Sequence, residues 1–392
     1  MAQNRKSIEK VLLVGAALGA VYVATRPKAE RREGTSKLVD WPRVEETAIG
    51  MVRGMAGGEI ANRQEANRRY RAMVAESTTV IARYTGMHLD QPLASVYVFD
   101  RQDWIRANLE GFRRLFGRIE EIQSHMRSST SLAGVLLGEA NRAVLSVQLG
   151  VLVGYLARRV LGQYDLALLG KEAVTTGSLY FVEPNIAAMV ERFELPPEEF
   201  RAWIALHEVT HAFEFEAHPW VRDYMNDLLT TYLGSLSEDL FYNRPGGALT
   251  LLAGRIKDNL FERGHMLEMM MSPQQRDVFR KLQALMALME GYSNHVMNQV
   301  GARHLKDHDT LKQTFESRAK SRGVAEQLFI KLTGLDIKLE QYVLGERFCE
   351  QVASQRGLPF LNQIWQGPDH LPTLDEIHDA DKWVARHQRI AA

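Results

Sequence analysis

The chain has 392 residues, of which 45% are hydrophobic and 24% charged, and its 48 basic and 48 acidic residues leave a formal net charge of zero. These are ordinary values for a globular protein and exclude collagen-like, disulfide-stapled and wholly disordered chains. Zero net charge argues against nucleic-acid binding by the chain as a whole, and the single cysteine, Cys349, excludes an intrachain disulfide or a cysteine-based zinc cluster, so any metal site must use His, Asp and Glu.

Residues 1–40 stand apart from the rest. Arg5, Lys6 and Lys10 precede an apolar run over 11–24, and Arg26, Lys28, Arg31 and Arg32 follow it. The run is shorter than the ~20 residues that span a bilayer as a helix. Pro27 and its basic neighbours do not resemble a small-residue cleavage site. Three readings stay open: a membrane anchor over 8–25, a docked segment and a cleaved signal. The protein is accordingly expected in the cytoplasm or tethered to the cell membrane, with a polar linker over 28–37.

Apolar residues at helical spacing predict helices over 42–55 and 59–86, broken at Gly57-Gly58. LASVYVF, 93–99, is β-branched and aromatic and reads as a strand, after which Asp100 caps a helix to about 126. The stretch 132–161 is apolar nearly all round. Glu139, Arg142, Gln148, Arg158 and Arg159 interrupt it, so it reads as a buried core helix rather than a membrane span, with Gly150 and Gly154 permitting close backbone approach. SLYFVEP, 178–184, reads as a second strand ended by Pro184. Pro196-Pro197 opens a helix to about 215. Further helices are predicted near 219–241, 246–270, 273–301, 309–333, 336–356 and 373–388. Residues 41–392 are expected to form one mainly α domain with a small β-sheet.

The chemistry centres on His207-Glu208-Val209-Thr210-His211, an H-E-x-x-H motif. On a helix, positions i and i+4 share a face, so both imidazoles can reach one ion. Zinc accepts neutral imidazole and keeps a position open for water. Glu208 would lie beside that water as its general base. Phe200, Trp203, Ile204 and Phe215 share the face of the two histidines, which directs them inward. Two core histidines held by hydrogen bonds are the alternative; their spacing around a glutamate favours the metal. The strand before the helix also fits, because zincin active-site helices lie beneath a sheet edge that can bind extended peptide.

A catalytic zinc needs a third protein ligand. His218 is out of register for the metzincin pattern, whose third histidine would fall on Ala217 and whose turn glycine on Glu214. His218-Pro219 is therefore expected at the turn out of the helix. The thermolysin-like or aminopeptidase-like placement of a glutamate falls on Thr230 and Thr231, while Glu238 and Asp239 lie too far along and stay as alternatives. Glu290, in LMALMEGYSNHVMN, is the better candidate. It is a lone carboxylate on an apolar helix between Met286, Met289 and Met297, and a buried carboxylate needs a cation or a hydrogen-bond network. Gly291 after it weakens the helix unless close packing requires it. A structural salt bridge is the alternative for Glu290, and His295 is a candidate to support the ligands from behind.

VLGQYDLAL (160–168), FVEPNI (181–186), HEVTHAFEFEAHPWV, MEGYSNHVM (289–297), KLEQYVLGERF (338–348) and the closing LPTLDEI pattern with Leu371, Trp383 and Arg386 together resemble one family. This is a zincin-like metallopeptidase family of actinobacteria and Chloroflexi whose members carry labels such as hydrolase or coenzyme F420 biosynthesis associated. The resemblance covers roughly 38–388 and implies a mostly helical zincin-like fold with the H-E-x-x-H helix at its centre. It implies no substrate, and no binding or synthesis of F420.

Weaker candidates complete the reading. Tyr342 could donate its hydroxyl to an oxyanion, although Lys338, Gln341, Tyr342 and Gly345 also describe one face of a packed helix. Tyr164-Asp165 could supply a carboxylate that orients a ligating histidine, with a plain helix C-terminus the simpler reading. Met269-Met270-Met271 reads as core packing before Pro273. The sequence thus points to a zinc-dependent hydrolase, a metallopeptidase acting on peptide or protein. His207, His211 and Glu290 would hold Zn²⁺, Glu208 would be the base and Tyr342 an oxyanion donor. The rival from another class is a non-catalytic helical scaffold with a structural or vestigial metal site.

Overall fold

The computed structural model describes residues 38–55, 60–93, 95–124, 132–165, 177–242, 271–320 and 336–390. The segment 8–25, the helix expected over 246–270, Met269-Met270 and residues 321–333 of the 309–333 helix lie outside these described residues.

In chain order the elements are α1 (Trp41–Val52), α2 (Arg63–Thr85), β1 (Val96–Phe99), α3 (Arg101–Ser124), α4 (Leu132–Ala157), β2 (Gly162–Asp165) and β3 (Ser178–Val182). Helices follow as α5 (Glu183–Phe193), α6 (Pro197–Glu216), α7 (Pro219–Tyr242), α8 (Pro273–His304), α9 (His308–Lys320), α10 (Asp336–Arg356), α11 (Leu358–Leu361), α12 (Leu374–His378) and α13 (Ala380–Ile390). The chain is mainly α with one three-stranded sheet among the described residues, as expected.

Two compact units are drawn from this list. The first lies within Met1–Ile60 and Phe99–Val160. Asp40 caps α1 by accepting the Arg43 N–H, and Asp100 caps α3 by accepting the N–H groups of Gln102 and Asp103 at 2.8 and 2.9 Å. Helix α4 packs along α1 through its two glycines. A Cβ on Gly150 would stand 2.6 Å from Thr47 Cβ and 2.9 Å from the Val44 carbonyl, and one on Gly154 2.9 Å from Met51 Cβ. The apolar 132–161 stretch is therefore a packed helix, and no described helix is long and apolar enough to cross a membrane.

The second unit, within Ala61–Val98 and Leu161–Ala392, holds the sheet and the H-E-x-x-H helix. The strand order is β1-β3-β2, with β2 and β3 antiparallel in the register Gly162↔Phe181 to Asp165↔Ser178. Strand β2 corrects the reading of Tyr164-Asp165 as a helix end. GQYD is short and polar, without the alternation that marks a strand locally, and its state is set by pairing with β3. Pro184 likewise does more than end β3: it sits in the first turn of α5, where its missing N–H costs nothing. The helix expected over 373–388 divides at Asp379, whose φ of −142° leaves the helical region.

Helix α6 is the centre of this unit, packed by α2, α5, α7, α8 and β2. Its apolar residues do not form one stripe. Phe200, Trp203, Ile204, Ala205, Leu206, Val209, Ala212, Phe213 and Phe215 are all buried, the pattern of a helix enclosed on every side. Its N-terminal part is anchored by Arg201, which forms a fork with Glu183 at the start of α5, while the Tyr70 hydroxyl of α2 donates to the same carboxylate at 2.5 Å. Helices α8 and α10 cross where Gly291 meets Gly345. A Cβ on Gly345 would collide with the Ala287 carbonyl, and one on Gly291 with the backbone of Gly345 and Glu346. At the C-terminal end Trp383 is fully buried and donates to the His370 carbonyl, and Arg386 ties Glu376 to the carbonyls of Asp369 and Leu371.

Candidate metal centre

His207 and His211 are one turn apart on α6, with ring centroids 4.7 Å apart. Glu290 arrives from the middle of α8. Its Oε2 lies 3.7 Å from His207 Nε2 and 3.9 Å from His211 Nε2. One ligand atom from each of the three residues falls within 4.8 Å of the others, the arrangement of a group able to hold a metal ion among the described residues. Tetrahedral zinc with ligands at 2.0–2.2 Å separates them by roughly 3.3–3.6 Å, so the spacing and the N, N, O donor set fit a catalytic zinc site.

The ring of His211 is locked from behind. Its Nδ1 is 2.8 Å from Glu214 Oε2 and 3.0 Å from Ser293 Oγ, and the Ser293 hydroxyl donates to Glu214 Oε1 at 3.0 Å. Glu214 is fully buried. An ionised carboxylate only accepts, so the Nδ1–H is held toward Glu214, and Nε2, on the side of His207 and Glu290, is the nitrogen that would give up its proton to a metal. Burial works against charge on His211, but the Glu214 carboxylate outweighs it and, with Glu290 and Glu208, pushes the imidazole up to about 10. Burial lifts the Glu214 carboxyl as well, with His211 opposing. The pair therefore holds a proton that a cation in the cluster would compete with.

Glu208 is buried beside the cluster. Burial raises its carboxyl above the ordinary range, while His207 and His211 pull it down and Glu290 raises it further. On its other side lies β2: the Tyr164 backbone N–H draws the carboxyl down, and Gly162 packs against it. The strand expected to supply a sheet edge there, β3, is the central one; the strand against Glu208 is β2, which sequence patterning did not reveal.

Glu214 and Ser293 were missed by sequence reasoning. Glu214 entered it only as a failed turn glycine, yet a glutamate one turn past the second histidine of an apolar helix was a signal. His295 does not support the ligands: it faces Tyr84, whose hydroxyl is 3.1 Å from its Nε2. His218 sits at the break between α6 and α7, stacked on Trp365 at 5.2 Å, as its exclusion from the ligand set required. Glu238 and Asp239 fall on α7 and Tyr342 on α10, but the side chains of all three lie outside the described residues. A separate hollow of about 240 Å³, lined by Met73, Ser77, Val80 and Leu206 among others, contains none of the groups of the centre.

The chain matches a family model described as zincin-like metallopeptidase over residues 39–384. It is similar to a solved structure from Chloroflexus aurantiacus, described as "a putative hydrolase with a novel fold", with 40% sequence identity over 90% of this chain and 99% of that one and a TM-score of 0.67. No curated protein matches. A zincin-like family implies a metal, and the donor set, the spacing and the locked tautomer of His211 suit one. With the match running from just before α1 into α13, the chain belongs to the zincin-like metallopeptidase family.

Proposed function

We propose that the protein is a zinc-dependent hydrolase that cleaves peptide or protein substrates. The observation that carries this reading is the meeting of His207 Nε2, His211 Nε2 and Glu290 Oε2 from two separate helices, with Glu208 buried alongside. His207, His211 and Glu290 would hold the zinc. Bound there, zinc would acidify a water and polarise a carbonyl.

The remaining chemistry belongs to the side chains. Glu208 takes the proton of the attacking water on a carboxylate oxygen and returns it to the nitrogen of the leaving amine. Glu214 and Ser293 hold the His211 ring in its ligating tautomer. Tyr342 on α10 is assigned as the oxyanion donor from its place in the chain, just before the crossing at Gly345 that brings α10 against the helix of Glu290.

The test is cleavage of a peptide library by full-length, zinc-loaded protein, beside the chelated protein and Glu208→Gln. Cleavage that needs the metal, and that drops roughly 10²–10⁴-fold in Glu208→Gln without loss of zinc, is the expected result. Undiminished activity of a zinc-loaded Glu208→Gln protein would remove Glu208 from the mechanism. No cleavage, together with a melting temperature that collapses on chelation, would favour the scaffold with a structural metal.

A further inference from the structure

Strand β2 runs against the side of α6 that carries Glu208. The Val182 N–H donates to the Leu161 carbonyl at 2.8 Å, and the register continues with Gly162 opposite Phe181 and Tyr164 opposite Leu179. In an antiparallel ladder, bonded and non-bonded pairs alternate. Leu161 and Gln163 therefore face β3, while the amides of Gly162 and Tyr164 point out from the sheet. The outward Tyr164 N–H is turned to the side where Glu208 packs against Gly162, and it lowers the Glu208 carboxyl. At Gly162 a Cβ would stand 2.6 Å from Glu208 Cγ and 2.7 Å from Oε1. Ordinary contact between heavy atoms is ~3.5–4.0 Å, so only glycine lets the strand come this close.

The same strand is pinned further along α6. The Tyr164 ring stacks on Phe215 with centroids 5.9 Å apart, and its hydroxyl donates to Glu216. Glu216 also accepts the Gly177 N–H and the Arg222 guanidinium, each at 2.9 Å. One carboxylate thus gathers β2, the approach to β3 and the start of α7 onto the C-terminal end of the H-E-x-x-H helix.

We propose that β2 is the positioning strand of Glu208: Gly162 provides the room, the Tyr164 N–H holds the carboxylate, and Glu216 holds Tyr164. A carboxylate held at one oxygen by a fixed amide presents the other in a constant direction, which is what a base must do for a water it does not itself bind. Gly162, Tyr164 and Glu216 are positioning residues, acting on the reaction through Glu208. The inference rests on Glu208 being the base, but the contact itself can be tested without a substrate.

The first arm is amide exchange at Tyr164, followed by NMR on full-length, zinc-loaded protein. Glu208→Gln keeps a side-chain acceptor and should leave protection within a few-fold of the parent; Glu208→Ala should speed exchange at Tyr164 by about tenfold or more, with Gln163 unchanged. Equal protection of Tyr164 in all three proteins overturns the proposal, whatever the enzyme hydrolyses. The second arm is kinetic, on whichever library peptide is cleaved. Tyr164→Phe and Glu216→Gln should lower kcat about tenfold, with KM and zinc content little changed, and Gly162→Ala about 10²-fold. Tyr164→Phe keeps the ring stack and so guards against a folding defect. An unchanged kcat in Tyr164→Phe, or a loss that only follows melting temperature, also overturns the proposal. A parent protein that cleaves nothing defeats the peptidase reading instead, and the exchange arm then decides the hold on Glu208.

Discussion

Gly291→Ala inserts a methyl group where α8 and α10 cross. The new Cβ would lie 2.5 Å from Glu346 N and 2.5 Å from the Gly345 carbonyl oxygen. These are backbone atoms that cannot turn aside, and the nearest, the Gly345 carbonyl carbon, would be only 2.1 Å away, so the helices must part by about 1.4 Å to restore contact near ~3.5 Å. Two effects oppose each other. Removing a glycine from a helix interior stabilises by ~1 kcal/mol, whereas forcing a methyl into packed surroundings costs ~1–3 kcal/mol, with rigid neighbours at the upper end. The clash wins by about 2 kcal/mol. At ~2–4 °C per kcal/mol for a domain of a few hundred residues, the melting temperature should drop by about 4–8 °C. The change also reaches the metal site, because Glu290 precedes Gly291 on the same turn. A displacement of α8 carries its carboxylate away from His207 Nε2 and His211 Nε2, now 3.7 and 3.9 Å off. Zinc affinity should weaken by about tenfold or more. Calorimetry with and without chelator, beside a competitive zinc titration, reads both effects. Gly111→Ala is the control, since a Cβ there meets nothing within 4 Å. A Gly291→Ala protein as stable as its parent and binding zinc equally well would refute the crossing as the device that sets Glu290.

Glu290→Ala should lose at least an order of magnitude in zinc affinity; an unchanged titration would move the third ligand to Glu238 or Asp239. Glu214→Ala leaves the His211 Nδ1–H and the Ser293 hydroxyl without their acceptor and should cost about 2 kcal/mol of stability by chemical denaturation, with a 10–100-fold loss of zinc affinity. An unaltered affinity would show that the ring of His211 needs no support. In chelated protein His211 holds its proton up to about 10, above the unfolded value near ~6.5. A folded pKa above the unfolded one means stabilisation that is complete below ~6.5 and lost as pH rises through about 10. The metal-free protein should therefore melt at progressively lower temperature as pH is raised from neutrality toward the upper value, and Glu214→Gln should flatten that slope. A slope of opposite sign would break the His211–Glu214 assignment.

What could be read from the sequence follows how local each cause is. His207, Glu208 and His211 are legible because helix geometry alone puts positions i and i+4 on one face. Glu290 stands out in the sequence as a lone carboxylate on an apolar helix, with Gly291 beside it; the cost expected of a buried carboxylate does not apply in full, because the structure leaves this side chain 29% exposed. The structure brings Glu290 beside the two histidines and Gly291 against Gly345. β2 is illegible for the opposite reason. GQYD has neither alternation nor β-branched residues, and it becomes a strand only through pairing with β3. The start of α5 was hidden by taking Pro184 as a terminator, when proline ends a strand and opens a helix equally well. The all-round burial of α6 was hidden because facing helices from distant sequence, α2 and α8, cover sides that a single-helix projection leaves to solvent.

The sequence motifs divide by what their residues touch. In MEGYSNHVM, Glu290 joins the metal group, Gly291 meets α10, Tyr292 donates to Asn362, and Ser293 reaches back to Glu214 and His211. One helical stretch thus supplies a proposed ligand, the contact that sets its height and a support for a second proposed ligand. FVEPNI holds the start of α6 through Glu183, and VLGQYDLAL sets Gly162 and Tyr164 against Glu208. The Trp383 and Arg386 pattern is far from the ligands in role, closing the C-terminal turns through carbonyls of residues 369–371. Metal affinity depends on ligand placement to within tenths of an ångström, so much of the chemistry-bearing sequence is spent on holding two helices and one strand in register. That is why glycines recur beside the site: Gly162, Gly291 and Gly345 each mark a place where backbone must approach more closely than any side chain allows.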